Sequence, residues 1–239
     1  MNIEKLISKY LLLVLMAPIA FTACKKEETG TTAVDDGKST VIRDLAGDTN
    51  GSVGDPGDGK TKIGFDTFLF KLSTQKQIWL RNAADSAKWF KTNEWDLAFT
   101  GPYNSEIFLN NAAYTANPGY QGSASRSAVI LVKQAYENVT TAPSESEFNN
   151  ANVRNTKIGV YSSADENGWY NYDLSTHLLK RIPNQTYVLR LPDGKYAKLE
   201  IISVYKGNPP VVTQLYWPAP YFTFRYFIQQ DGSNNLNTK

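Results

Sequence analysis

The aromatic residues of this 239-residue chain are concentrated after its first quarter. Of the 30 Phe, Trp and Tyr residues, 28 lie at or after Phe65, and the other two are Tyr10 and Phe21. The 175 residues from Phe65 to the last residue are enough for one domain with a sizeable core. The chain has a single cysteine, Cys24, so no internal disulfide can support the fold. Its stability must come from burying those aromatic side chains.

Apolar and polar residues alternate in this aromatic-rich region, which is typical of half-buried β-strands. In Thr67–Leu72, three apolar residues at a spacing of two share one face. Asp193-Gly194 tolerates the positive φ of a tight turn and predicts a hairpin. Further strands are predicted at 77–80, 95–99, 128–132, 187–191, 196–205 and 221–228. We therefore predict an all-β domain, mainly antiparallel, with few short helices, the best helical candidate being 143–148.

The start of the chain has the three-part layout of a secretory signal. Lys5 and Lys9 make it positive, and the apolar run that follows is shorter than the roughly 20 residues needed to cross a bilayer. The segment Phe21-Thr22-Ala23-Cys24 resembles the lipobox at which bacterial lipoproteins are cleaved and acylated. We predict a lipoprotein signal peptide at 1–23 and lipid attachment at Cys24. The alternative is an ordinary secretory signal that happens to precede a cysteine.

The segment after Cys24 has the composition of a linker. Between Lys25 and Lys60 there are seven glycines, eight acidic residues and no aromatic residue. Such a segment buries too little apolar surface to offset the entropy lost on ordering. We interpret 24–61 as a flexible, acidic and Gly-rich tether, and 62–239 as the β domain.

The location of the protein follows from the anchor. Lys26-Glu27-Glu28 resembles the short tag that directs some Gram-negative lipoproteins to the outer cell surface. The prediction is therefore a lipid-anchored protein of the outer membrane, exposed at the cell surface, with the membrane as a partner through its lipid.

The residue inventory argues against an enzyme and against a nucleic-acid partner. The chain has one histidine, His177, and no nucleophile elbow, phosphate-binding loop or zinc-ligand spacing. Its formal net charge is +2 and no basic stripe is present, so nucleic acid is not an expected partner. A lone histidine is more often a structural residue than a ligand, and we predict a binding protein without catalysis and without a metal site of its own.

Several segments of the predicted domain resemble the HmuY family of surface lipoproteins, which are haem-binding haemophores with a largely β fold. The resemblance runs in the family's order over about residues 62–230. It rests on Phe68–Thr74, Trp95–Phe99, Trp169–Tyr172, Thr186–Leu199 and Phe222–Tyr226. The most specific parts are the Trp-Asp-Leu-Ala-Phe segment and the Asp-Gly-Lys-Tyr-Ala-Lys hairpin. The resemblance implies an HmuY-like β domain and a role in iron acquisition through haem or another porphyrin.

The resemblance also indicates where iron ligands would lie. Family members hold haem iron between two histidines or two methionines, from segments that correspond here to 114–127 and 139–148. Both methionines of this chain lie within 1–23, so neither ligand pair can be assembled from the single histidine that follows. The remaining candidates for haem binding are Tyr114 and Tyr120, as phenolates, and His177, through a ring nitrogen.

Two functions stay open at this point. One is haem or porphyrin binding, with an outer-membrane transporter as a further partner. The other is a non-haem binding module on the same scaffold, which would present aromatic loops to a glycan, a peptide or an envelope protein.

Overall fold

The predicted strands form two antiparallel sheets that pack face to face. The computed structural model describes residues 34–54, 59–149, 153–159, 168–173, 175–212 and 217–239. Within these residues the strands are β1 (Thr40–Ala46), β2 (Thr67–Lys71), β3 (Lys76–Leu80), β4 (Leu97–Thr100), β5 (Glu106–Leu109), β6 (Ala128–Val132), β7 (Lys157–Ile158), β8 (Tyr170–Asp173), β9 (Leu178–Arg181), β10 (Thr186–Arg190), β11 (Tyr196–Ser203) and β12 (Tyr221–Ile228). The helices are α1 (Ala83–Trp89) and α2 (Val153–Thr156), with 3-10 turns at Pro102–Asn104, Tyr136–Asn138 and Glu145–Asn149.

Each large sheet contains five strands. The first has the order β1-β12-β11-β10-β6, and the second has the order β3-β2-β4-β5-β7. Strands β8 and β9 form a separate two-stranded ribbon. Every pairing between these strands is antiparallel, which confirms the prediction of a mainly antiparallel all-β domain.

Aromatic side chains from both sheets fill the space between them. Phe99 of β4 packs against Phe222 of β12 with ring centroids 4.9 Å apart, and Phe70 packs edge-on against Phe224 at 5.5 Å. Their alternate spacing places them on the inner faces of their strands. Burying a side chain of this size stabilises the fold by about 1.5–3 kcal/mol. The aromatic residues that mark the sequence therefore form the core.

The outer face of each sheet is also covered. On the second sheet, Leu69 and Trp95 pack with Trp89 of α1, a helix that the alternation did not predict. On the first sheet, Val188 packs with Phe148 and Leu236. Because both faces are buried, several strands have apolar residues at consecutive positions rather than a clean alternation.

The interpretation of 24–61 as a flexible tether is wrong for its second half. Strand β1 lies within that range and pairs with β12, with Ile42 opposite Phe224. The register shifts between Ile42 and Leu45, and Asp44 has a φ of +52°, so the alternation is interrupted. Among the described residues, the strand has a neighbour on one side only, as an edge strand does, and it carries polar side chains such as Arg43 and Asp44. Glycines on both sides of it gave the whole segment the average composition of a linker.

Two element boundaries also differ from the prediction. The segment predicted as a helix at 143–148 is a 3-10 turn at Glu145–Asn149. The strand predicted from Trp95 begins at Leu97. Just before it, the carboxylate of Asp96 accepts hydrogen bonds from the amide of Leu72 and from the Lys71 ammonium, both at 2.8 Å.

The predicted signal peptide and Cys24 lie outside the described residues. In the part of the chain that the structure does describe, none of the helices has the length and apolar character needed to span a bilayer.

Candidate functional site

A cleft of about 600 Å³ opens beside His177. We call it the His177 cleft. Its lining consists of the loop residues Thr49, Asn50, Gly51, Ser52, Val53 and Gly54, then Lys60, Thr61, Ile63, Tyr103, His177, Trp217, Pro218 and Ala219. These residues come from four separate parts of the chain, so only the folded domain assembles the cleft.

The turn between β8 and β9 fixes the position of His177. Its backbone lies in the left-handed region at φ +56°, and its amide donates to the carbonyl of Asp173 at 2.7 Å. The Nδ1 atom of its exposed ring lies 2.7 Å from the hydroxyl of buried Tyr172. When Nδ1 carries the proton and donates to Tyr172, Nε2 is an acceptor with a lone pair for a ligand or a metal ion.

The floor of the cleft contains a strained turn. Tyr103 and Asn104 have φ values of +55° and +53°, in a region that residues with a Cβ adopt at a cost. Fully buried Asn104 holds this turn in place. Its side-chain oxygen accepts from the amide of Asp48 at 2.7 Å, and its nitrogen donates to the carbonyl of Asp66 at 2.9 Å. Strain that the surroundings enforce in this way is concentrated at binding and catalytic sites.

One wall of the cleft is apolar. Trp217 is held by a hydrogen bond from Nε1 to the carbonyl of Lys206 at 3.0 Å, and Ile63 is exposed over 51% of its surface. Burial, together with the nearby Tyr172, raises the pKa of the Tyr103 phenol, so this ring stays neutral at physiological pH. Lys60 adds an ammonium to the lining. The cleft can therefore receive a flat apolar ligand that carries negative charge at one edge.

The structure places Tyr114 and Tyr120 away from the His177 cleft. Both lie in the loop that follows β5, whereas Tyr103 lies in the turn that precedes β5. The two regions are therefore at opposite ends of this strand. The hydroxyl of Tyr120 accepts from the side chain of Gln121 at 3.1 Å. The three candidate ligands are not brought together, and Tyr114 and Tyr120 cannot face the same iron as His177.

The two segments that the family resemblance indicated as ligand-bearing do lie together. Arg190 joins them, because its guanidinium donates to the carbonyl of Arg126 at 2.9 Å and to the side chain of Asn149 at 3.0 Å, and it pairs with Glu145. The hydroxyl of Tyr196 also donates to Glu145 at 2.6 Å. The region where these two segments meet is filled by side chains of this protein that hydrogen-bond to one another.

Sequence reasoning identified His177 but missed the residues that surround it. Trp217, Tyr103 and Ile63 are separated along the chain, and no local pattern marks them as neighbours. The two consecutive residues with positive φ could not be read from a Pro-Tyr-Asn sequence either. In the part of the chain that the structure describes, His, Cys, Asp and Glu side chains do not cluster in groups of three that would hold a metal ion.

Three solved structures are similar to this chain. The first, an apo HmuY analogue from Tannerella forsythia, is 12% identical with a TM-score of 0.44, over 81% of this chain and 96% of that one. The second, a candidate HmuY-like haem-binding protein from Bacteroides vulgatus, is 18% identical with a TM-score of 0.38, over 79% and 90%. The third, a candidate lipoprotein from Bacteroides fragilis, is 16% identical with a TM-score of 0.37, over 79% and 89%.

No curated protein matches the chain in sequence. The model of the HmuY protein family, by contrast, matches residues 66–217, which is more than half of the chain and includes His177 and Trp217. This match confirms the resemblance found in the strand sequences. The chain belongs to the HmuY family.

Proposed function

We propose that this chain is a lipid-anchored surface protein that binds haem or another porphyrin in the His177 cleft. The observation that carries this proposal is the position of the single histidine beside an apolar wall that includes Trp217. Family membership supports haem capture, and the imidazole of His177 lines the same cleft as Trp217, against which a porphyrin would stack.

The size and lining of the cleft suit such a ligand. Ligand pockets have volumes of about 300–1,000 Å³ and combine an apolar lining with a few polar groups. The cleft falls within that range at about 600 Å³. A porphyrin gains most of its binding free energy from removing its two flat faces from water, so the Trp217 wall is the main source of affinity. The Lys60 ammonium would face the carboxylates of haem.

His177 would ligate the haem iron. A histidine ligand to a metal usually donates its other ring N–H to a fixed partner, which sets the tautomer and the ring orientation. The hydroxyl of Tyr172, 2.7 Å from Nδ1, would be that partner when Nδ1 carries the proton. The side chain therefore has the support expected of a ligand that binds through Nε2.

The protein would be anchored in the membrane and would transfer its haem to a second protein. Lipid attachment at Cys24 would hold the β domain at the surface of the outer membrane. A protein in that position can pass haem to an outer-membrane transporter, which we propose as its partner. The protein would act by binding and not by catalysis.

Titration of the purified protein with ferric haem tests this function. We expect saturation at micromolar haem with a shift of the Soret band. His177→Ala should abolish the shift but keep binding of iron-free protoporphyrin, whereas Trp217→Ala should weaken both ligands about tenfold, as expected for loss of a large aromatic contact. Tyr114→Phe and Tyr120→Phe are the matched controls and should behave like the unmodified protein. Loss of the shift in either control, or no saturable binding, would overturn the proposal.

A glycan is the second candidate ligand. It is favoured by the polar loop Thr49–Gly54, which faces the same cleft as the aromatic rings of Tyr103 and Trp217. The rings of a sugar stack on aromatic faces, and its hydroxyl groups hydrogen-bond to polar groups such as those of this loop. Saturable glycan binding that is lost in Trp217→Ala, in a protein that does not bind haem, would favour this function.

A further inference from the structure

A second cleft, of about 450 Å³, opens at the opposite end of the sandwich. The two large sheets connect the two openings. Strand β2 starts just after Ile63 of the His177 cleft and ends at Lys71 of the second cleft. Strand β12 likewise starts after Ala219 and ends at Ile228. Nothing that binds in one cleft would contact the other.

Three lysines from distant parts of the chain line this second cleft, which we call the lysine cleft. Lys38 precedes β1, Lys71 ends β2, and Lys195 lies in the turn between β10 and β11. Two carboxylates also line it, those of Asp96 and Asp193. The lining therefore carries one more positive than negative charge.

The more buried carboxylate is already neutralised by the chain itself. Asp96 is 2% exposed, and its two oxygens accept from the Lys71 ammonium and the Leu72 amide. The other carboxylate, Asp193, has a side chain that is 57% exposed and lies 3.7 Å from Lys195, a geometry in which a surface ion pair contributes little. Asp96 and Lys71 therefore neutralise each other, and the positive charge at the mouth of the cleft comes from Lys38 and Lys195, with exposed Asp193 as the remaining carboxylate.

The ammonium groups retain capacity to donate. Each can donate three hydrogen bonds. Lys38 donates to the main-chain oxygen of Lys239 at 2.6 Å, and Lys195 donates to the side chain of Gln230 at 3.1 Å. Lys71 donates to Asp96 and to the carbonyl of Asn93. Lys38 and Lys195 each use one of their three donors in these bonds, so both can also donate to an incoming anion, whereas Lys71 is engaged by two partners.

The accessible apolar surface of the lysine cleft comes from half-buried Phe227 and Ile228, which form its floor. Below them Leu72, Leu191 and Tyr226 are almost fully buried, and the hydroxyl of Tyr226 donates to the carbonyl of Leu72 at 2.6 Å. An ion such as chloride would leave the floor of Phe227 and Ile228 uncovered. A ligand with both a charged head and an apolar body would cover it.

We propose that the lysine cleft is a second binding site, which takes a small organic anion with its charged head at Lys38 and Lys195 and its apolar body on the floor of Phe227 and Ile228. The site is separate from the His177 cleft and does not depend on haem binding. Two independent features support it, the two ammonium groups that distant parts of the chain bring to the cleft and the half-buried apolar side chains between them.

Calorimetric titration of the whole chain with four probes tests the site. The probes are hexanoate, which offers charge and an apolar body, acetate, which offers charge alone, hexanol, which offers the apolar body alone, and inorganic phosphate. We expect hexanoate to bind more tightly than acetate or hexanol, because each buried methylene strengthens binding about fourfold. Phosphate binding more tightly than acetate would assign the preferred head group as a phosphate and would also support the site.

Substitution of two lysines provides the structural control. Lys38→Gln with Lys195→Gln should weaken hexanoate binding about tenfold or more, since each ammonium interacts through screened Coulomb attraction. Exposed Lys133, outside both clefts, gives the matched variant Lys133→Gln, which should bind like the unmodified protein. The proposal fails if no probe saturates, if hexanol binds as tightly as hexanoate, or if the double variant binds normally. Haem titration of the double variant should be unchanged, which separates this site from the proposed function.

Discussion

The hydroxyl of Tyr172 lies 2.7 Å from Nδ1 of His177. Tyr172 is buried and His177 is exposed, so a rigid residue of the β8–β9 ribbon orients a side chain at the rim of the cleft. When Nδ1 donates to this hydroxyl, Nε2 is the ring nitrogen that acts as an acceptor.

Removing that hydroxyl should weaken iron binding. Tyr172→Phe keeps the ring but leaves the tautomer of His177 unconstrained, so we expect ferric haem to bind about tenfold more weakly, the usual scale for loss of such a partner. Binding of iron-free protoporphyrin should not change. Spectroscopic titration with the two porphyrins measures both effects. Tyr196→Phe, which also removes one hydroxyl hydrogen bond but lies outside the cleft, is the control. Equal losses for both porphyrins would contradict a role in orienting an iron ligand.

The turn at Asn104 should be sensitive to substitution. Asn104→Ala leaves the Asp48 amide and the Asp66 carbonyl without their partner and places an alanine at φ +53°. We expect the free energy of unfolding to fall by about 2–4 kcal/mol, measured by urea denaturation. Asn104→Gly separates the two causes, because glycine tolerates positive φ and should recover about 1 kcal/mol of the loss. If Asn104→Ala changed the free energy of unfolding by less than about 0.5 kcal/mol, contacts other than those of the Asn104 side chain would stabilise the turn.

The fold was largely predictable because its core is built from local alternation. Strands β2 and β12 carry aromatic residues at a spacing of two, and in the structure these residues face the core. Strand β1 was not predictable, since it is an edge strand with an irregular register and gains its stability from pairing with β12.

The candidate site was predictable only in part. A rare residue such as His177 can be recognised from composition alone. The packing of separate loops brings Tyr103 and Trp217 into the same cleft. The spacing of these residues in the sequence does not indicate that they are neighbours. Tyr114 and Tyr120 were selected for the segment in which they lie, and the topology of β5 then separates them from His177. They stay untested as ligands.

The lipid anchor makes a prediction about location. Cys24→Ser should leave the β domain folded but remove the site of acylation, so the protein should move from the membrane fraction to the soluble fraction after export. Fractionation of cells that express each version measures this. Thr115→Ala, a change at an exposed position far from the signal, is the control. Retention of Cys24→Ser in the membrane fraction would show that another element holds the protein there.

Strand β1 should be required for a stable first sheet. A version of the chain that begins at Gly47 lacks β1 and exposes the edge of β12, while one that begins at Val34 retains it. We expect the shorter version to lose about 3 kcal/mol or more in the free energy of unfolding, because Ile42 and Leu45 no longer pack on the core. It should also associate through the unpaired edge. Denaturation and analytical ultracentrifugation measure the two effects, and equal behaviour of the two versions would restore the interpretation of 24–61 as a tether.

The stability of the protein should rise with pH because of Lys198. This side chain of β11 is fully buried, and its ammonium donates to the carbonyls of Tyr136 and Val139, both at 3.0 Å. Burial lowers its pKa from 10.5 to about 8. Between these two values the unfolded chain binds a proton that the folded chain does not, so the free energy of unfolding increases as the pH rises.

Comparison with Lys198→Met isolates this contribution. Methionine has a similar length but no charge, so the difference in unfolding free energy between the two proteins should grow in favour of the unmodified protein from about pH 8 upward. The limit is about 1.4 kcal/mol per pH unit. Burial raises the pKa of Tyr205 and Tyr226 from 10.0 to about 12, which lowers the stability of both proteins above pH 10 and cancels in the difference. Urea denaturation from pH 8 to 10 measures the effect. Parallel stability curves for the two proteins would mean that Lys198 keeps its proton throughout this range, and that its two carbonyl partners and the adjacent Tyr136 ring compensate fully for its burial.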